Sequence, residues 1–190
     1  REEDTDALAV ETVAGLLPGH VDERGLIAVD MGPAQLNWQD IPLSRAMDTL
    51  HLDVTAGPYA DPVAVGIGNP HCVFFVEDAD SVDPATQGPE VEHNPLFPER
   101  TNVEFISILD HGRIRMRVWE RGAGTTQACG SGACAVAVAA ASRGLTARQV
   151  EVVLDGGSLF IDWRTDNHVV MSGPVVVAFT GTLEIATGAT

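Results

Sequence analysis

Residues 130–142 read GSGACAVAVAAAS, and the middle of this stretch has no polar face in any helical projection. A helix that is apolar all round cannot lie on a surface, so the rest of the chain has to enclose it. Both ends are punctuated. Gly122, Gly124 and Gly130 make a glycine-rich approach, while Arg143 complements the dipole of the last turn and Gly144 stands where a C-terminal cap is expected. The unbroken apolar run, 133–141, is far below the roughly 18 residues of a membrane span. A soluble protein with no membrane partner is expected.

Cys129 immediately precedes this helix. A helix start carries about half a positive charge and several unpaired N–H groups, so it lowers a thiol pKa and attracts a carboxylate. A lone cysteine here could equally be a structural thiol on an Ala-rich core helix. The crowding of Glu120, Arg121 and the glycines around it favours the catalytic alternative. Cys72, Cys129 and Cys134 show no CxxC spacing and the six His are scattered, so neither a disulfide framework nor a metal site is expected.

Composition removes other classes. A net charge of −16 leaves nothing to make the phosphate contacts on which nucleic-acid binding depends. All 11 positive residues are Arg, so the chain supplies no Schiff-base lysine for pyridoxal phosphate. With 190 residues and 45% hydrophobic content it can bury a real core. It opens on a charge run without Met, from which a missing front end is expected, and nothing in it resembles a signal peptide.

In chain order, residues 8–17 predict a strand with a turn inside or just after it, stopped by Pro18-Gly19; 25–31 predict a second. An irregular stretch through Ser44 reads as a linker, with a boundary near 30–33. Two apolar runs, 64–68 and 71–76, bracket a corner at Asn69-Pro70. Taken alone, Asn69 is ordinary turn chemistry and His71 a satisfied histidine at a strand start. The acid-rich segment 77–92 reads as a surface loop with a short helix at 84–87. Strands 102–109 and 113–119 form a hairpin that sets Asn102 beside Glu120 and Arg121, with Arg113, Arg115 and Arg117 on a solvated face. A second hairpin covers 150–154 and 158–163, followed by strands at 168–171 and 175–185. The expected fold class is α/β (α+β mixed), a mixed, mostly antiparallel sheet wrapped around a central apolar helix.

GNPHCV at 68–73, the Asn102-Val103 pair and ERGAGTTQACGSGACA at 120–135 together resemble the carboxyl-terminal half of the diaminopimelate epimerase family, over residues 8 to the end. The resemblance implies two pseudo-symmetric domains, each built around a helix and each contributing one cysteine to a cleft. Residues 1–30 would end a truncated first domain, 31–174 form the second epimerase domain, and 175–190 be a strand returning to the first. The first cysteine, in its own glycine-rich motif, is missing here; this chain would carry half the site and be inactive alone.

By the same resemblance, Cys129 is a proton-transfer thiol, with Glu120 and His71 beside it and the substrate α-amino group. Gly130 and Ser131 seat the α-carboxylate, and Asn69, Asn102 and Arg121 read the distal amino-carboxylate end. Thr125 stands where relatives often have Glu, and Ser131 where many have Thr. The implied activity is cofactor-independent, metal-free isomerisation of LL- to meso-diaminopimelate, a cytoplasmic step in making lysine and peptidoglycan precursors. A homodimer is one expectation for the full-length protein. A proline-racemase-like or phenazine-type isomerase of the same superfamily, or a non-catalytic binding module, are the alternatives. The distal readers disfavour the first group, and thiol reactivity at Cys129 tests the second.

Overall fold

The computed structural model describes residues 7–12 and 15–182. In chain order the strands are β1 (Ala7–Thr12), β2 (Gly15–Val21), β3 (Ile27–Pro33), the short pair β4 (Thr55–Ala56) and β5 (Tyr59–Ala60), β6 (Val63–Gly66) and β7 (Pro70–Phe75). Helix α1 (Pro84–Glu92) precedes β8 (Asn102–Asp110), β9 (Arg113–Glu120) and β10 (Gly124–Thr126). Helix α2 (Gly130–Ser142) leads to β11 (Gln149–Leu154), β12 (Gly157–Trp163) and β13 (His168–Gly173).

Eleven of these strands form one sheet, in the order β1-β2-β3-β13-β12-β11-β9-β8-β7-β6 with β10 on β9. Pairing is antiparallel except between β7 and β8 and between β9 and β11. The sheet curves around α2, whose residues from Gly132 to Ala140 are all buried. Val65, Val73, Ile106, Met116, Val152 and Ile161 face it from separate strands. The helix stops as its sequence predicts: Leu145 N–H donates to Ala140 and Gly144 N–H to Ala141, with Gly144 at φ +70. This is the paired capping pattern that glycine permits without steric cost. None of the described helices is long and apolar enough to cross a membrane.

A second core lies on the opposite face of β7 and β8, where Cys72, Phe74, Val103 and Phe105 meet Ile41, Leu43 and Val91. This face explains several differences from the sequence reading. The stretch expected to be a linker is irregular, yet it buries Ile41 and Leu43. The segment 77–92 is a cover: Asp83 caps α1 by accepting from Ala85 N–H, and the helix extends to Glu92, which is buried. Of the Arg face, Arg113 stays exposed while Arg115 and Arg117 are largely covered. Arg115 pairs with Asp80 and Asp155, Arg117 donates to the Val82 carbonyl at 2.6 Å, and Arg113 meets Glu151 at 3.1 Å. Period two predicts that these arginines share a face; it cannot show that the turn at 79–83 folds over Arg115 and Arg117.

Pro18 and Gly19 lie within β2 rather than ending it, because β2 pairs with β3 only over 19–21 and the proline needs no donor on that side. Residues 174–182 have no strand pairing, and Val176 and Phe179 are exposed; residues 183–185 of the expected last strand lie outside the described residues.

Gly88 is where α1 touches β9, and a methyl group there would overlap Cβ and Cγ of Trp119. Alanine in a helix interior gains at most about 1 kcal/mol over glycine. Overlap at the root of a side chain costs about 1–3 kcal/mol. Gly88→Ala should therefore lower stability in urea denaturation; an unchanged or higher midpoint contradicts this packing.

Candidate active site

The glycine-rich turn brings β10 off β9 and delivers Cys129 to the N-cap of α2, with extended backbone (φ −138, ψ 109). Its carbonyl accepts the first helical bond, from Ala133 N–H, at 2.9 Å. Of the three thiols, Cys72 and Cys134 are fully enclosed while Cys129 keeps 6% of its surface. At Gly132, three residues further on, space is tight: a Cβ there would stand 3.0 Å from Glu104 Oε1, 3.0 Å from Met116 Cε and 3.2 Å from Cys129 Sγ, so these side chains would have to give way. The missing side chain is what lets a strand carboxylate and the thiol converge at the helix start.

Glu104 is the functional candidate that sequence reasoning missed. It sits in the apolar run of β8, and strand alternation turns it, like Ile106, toward α2. Its Oε1 lies 2.6 Å from His71 Nδ1; both side chains are completely buried. His71 Nε2 meets Asn69 Oδ1 at 2.9 Å, and Asn69 Nδ2 makes a long bond of 3.4 Å to Ser131 Oγ. Ser131 Oγ is 3.7 Å from Cys129 Sγ. The corner at Asn69-Pro70 is made possible by Gly68 at φ +75. Three of the expected residues, Asn69, His71 and Ser131, thus link to Cys129 in one polar chain. A charged residue at an inward position of an otherwise apolar strand was the available signal for Glu104.

The other expected residues gather on the adjoining sheet edge. Asn102 opens β8 and is buried; its Oδ1 accepts from Arg121 N–H at 2.9 Å and its Nδ2 donates to the Pro70 carbonyl at 3.1 Å. This amide staples the start of β7 to the end of β9. The Arg121 guanidinium is held outward, donating to the Glu99 carbonyl at 2.9 Å. Glu120 accepts from the Thr126 hydroxyl across the turn. Beneath it, Glu92 accepts from the Trp119 indole at 2.6 Å and from Gly122 N–H at 3.1 Å, fixing the loop that carries Arg121. Trp119 and Glu92 are 27 positions apart in the chain, so no local motif signals their contact.

The thiol pKa runs against the sequence expectation. Burial, followed by the charges of Glu104 and Glu120, pushes Cys129 up to about 12, although Gly132 N–H and the Ser131 hydroxyl pull the other way. The rise corresponds to roughly 4 kcal/mol. A helix dipole supplies at most about 2 kcal/mol in favourable geometry, so desolvation wins. Cys72 and Cys134 are also raised by their burial.

A cavity of about 330 Å³ opens beside Gly68, between Met31, Gln35 and His168. A larger one of about 550 Å³ lies among Arg24, Arg113 and Glu151, and none of the candidate site residues lines it. Among the described residues, no three His, Cys, Asp or Glu side chains converge as a metal-binding group.

Comparison with known proteins identifies the family of the chain. The family model described as diaminopimelate epimerase matches residues 63–178, which include the Asn69 corner, β8, β9 and α2. The diaminopimelate epimerase of Rhodospirillum centenum is 57% identical over 93% of this chain, and that of Acidiphilium cryptum 51% over 94%. The chain spans 60% and 65% of the lengths of those two relatives. Among solved structures, a phenazine biosynthesis protein of Bacillus anthracis has the same fold, with a TM-score of 0.57 at 16% identity over 90% of this chain and 66% of that one. With the family match covering more than half its length, and the matched motifs meeting at one helix start, the chain belongs to the diaminopimelate epimerase family.

Proposed function

We propose that the protein carrying this chain interconverts LL- and meso-diaminopimelate by exchanging the α-proton of one stereocentre between two thiols, one of them Cys129. The observation that carries this reading is the seating of Cys129 at the start of α2, with the Ser131 hydroxyl beside it and Asn69 reaching that hydroxyl. The α-proton of an amino acid is a very weak acid. A thiolate removes it only where preorganised donors stabilise the negative charge that develops on the carboxylate side. The N–H groups of Gly130 and Ser131 and the Ser131 hydroxyl are such donors, and exclusion of water strengthens them.

Arg121 and the Asn102 corner take the distal amino-carboxylate end, Arg121 by exchanging its contact with the Glu99 carbonyl for a substrate carboxylate. Glu120 borders the α-ammonium group, and Asn69 joins the readers of the distal end. His71, sealed behind Asn69 with both ring nitrogens engaged, acts on the substrate only through the Asn69 amide. In the free site Cys129 is a thiol, the acid of the pair, and a second cysteine on the opposite substrate face is the base; the roles exchange with direction. A bound ammonium group favours the thiolate and so acts against the burial that holds the thiol up.

Two measurements test this. Cys129→Ala in the full-length protein should abolish epimerisation with the circular dichroism spectrum unchanged; turnover within about tenfold of wild type removes the thiol from the mechanism. In the ligand-free protein, alkylation of Cys129 followed by mass spectrometry should speed up by about tenfold per pH unit from about pH 7 to 10, because only the thiolate reacts. A rate that levels off below about pH 8 contradicts the raised thiol.

A further inference from the structure

We propose that Glu104 is a positioning residue for the proton-transfer site: its carboxyl group fixes the His71 ring, through it the orientation of the Asn69 amide, and through that the Ser131 hydroxyl facing Cys129. The inference rests on the epimerase reading for its kinetic consequence, but not for its geometry.

The hydrogen-bond directions follow from the contacts. Asn69 Nδ2 is the atom that reaches Ser131 Oγ, so Asn69 Oδ1 is left as an acceptor and His71 Nε2 must donate to it. His71 Nδ1 then has two options across its 2.6 Å contact with Glu104: it accepts from a protonated carboxyl, or it donates to a carboxylate. In both cases one proton lies between the two groups and the pair is neutral overall. Burial raises the Glu104 carboxyl and the His71 proton lowers it, as sharing requires.

Neutrality matters at this place. Glu104 Oε1 and Cys129 Sγ close on the same point above Gly132, and an unbalanced carboxylate there opposes any negative charge on sulfur. With the pair in place, each donor in the chain points the same way: Nε2–H to Asn69, Nδ2–H to Ser131, and the Ser131 hydroxyl proton free for Cys129 Sγ or for a carboxylate at the helix start. Without Glu104, no other contact of Nδ1 among the described residues selects the Nε2–H tautomer. The Asn69 amide is then free to turn over. Among the described residues Glu104 Oε2 has no hydrogen-bond partner although it is buried, so the group is retained at a cost that packing does not explain.

The test compares Glu104→Gln with Glu104→Leu in the full-length protein. Glutamine offers Nδ1 a donor of the same length and preserves the tautomer, whereas leucine fills the space and offers none. For Gln, kcat should stay within about tenfold of wild type; for Leu it should fall roughly 100-fold with KM changed by less than about threefold, the signature of misplacement rather than lost binding. Independently of activity, ¹⁵N NMR of histidine should show a proton on His71 Nε2 in wild type and Gln, and a mixture of tautomers in Leu. A folded Leu variant with wild-type kcat, or one whose His71 keeps its proton on Nε2, overturns the proposal. Should leucine not fold, Glu104→Asp withdraws the carboxyl by one methylene and carries the same expectations. If the wild-type protein shows no turnover the epimerase reading fails, and the NMR comparison still decides the link from Glu104 to His71.

Discussion

Helix α2 has no side it can show to water, and the architecture follows from that. Covering such a helix takes strands on several sides. The sheet supplies them by curving, with β6 to β9 on one flank and β11 to β13 on the other. Once enclosed, the helix can meet solvent or substrate only at its ends. Its C-terminal end is closed by the Gly144 cap. Its N-terminal end emerges at the sheet edge where β7 and β8 begin and β9 finishes. Asn69, Asn102, Glu120 and Arg121 are there because of topology, far apart as they are in the chain.

Into this apolar enclosure the protein admits a buried acid–base pair. Glu104 and His71 occupy inward positions on neighbouring parallel strands, where Val73 and Ile106 show what the surroundings otherwise favour. Removing one member of a buried, hydrogen-bonded pair typically costs about 3–5 kcal/mol, while replacing both with apolar groups is often neutral. Stability alone therefore gives no reason to keep the pair. Its geometric effect does, since it ties the Asn69 corner to the helix start and brings a carboxylate to the thiol through the gap left by Gly132. Burial, ahead of the nearby carboxyl groups, pushes the Cys129 thiol up.

Much of this was legible from the sequence, and the boundary of legibility is physical. The apolar run announced the enclosed helix, the turn residues announced both hairpins, and the 102–109/113–119 hairpin already set Asn102 against Arg121. What period and spacing could not give was anything created by tertiary contact. The arginines of β9 looked solvated because their acidic partners, Asp80 and Asp155, lie far away in the chain. The cover formed by α1 was underestimated because its acidic composition hides Val91 and Glu92, which point inward. The thiol was expected to be acidified by the helix dipole, a local effect, and burial outweighs it. Glu104 was passed over inside an apolar strand, although a charge at an inward position is the kind of local conflict that marks a functional site.

The central claim is that a thiol at the start of α2 serves one face of a stereocentre while a second group serves the other. The most direct measurement is turnover of a single diaminopimelate isomer by the full-length protein in deuterated water, with the α-positions of substrate and product followed separately at early times. Two bases predict that product carries solvent deuterium from the outset while unreacted substrate remains unlabelled. Equal labelling of substrate and product from the first time points means one group serves both faces, and contradicts the account.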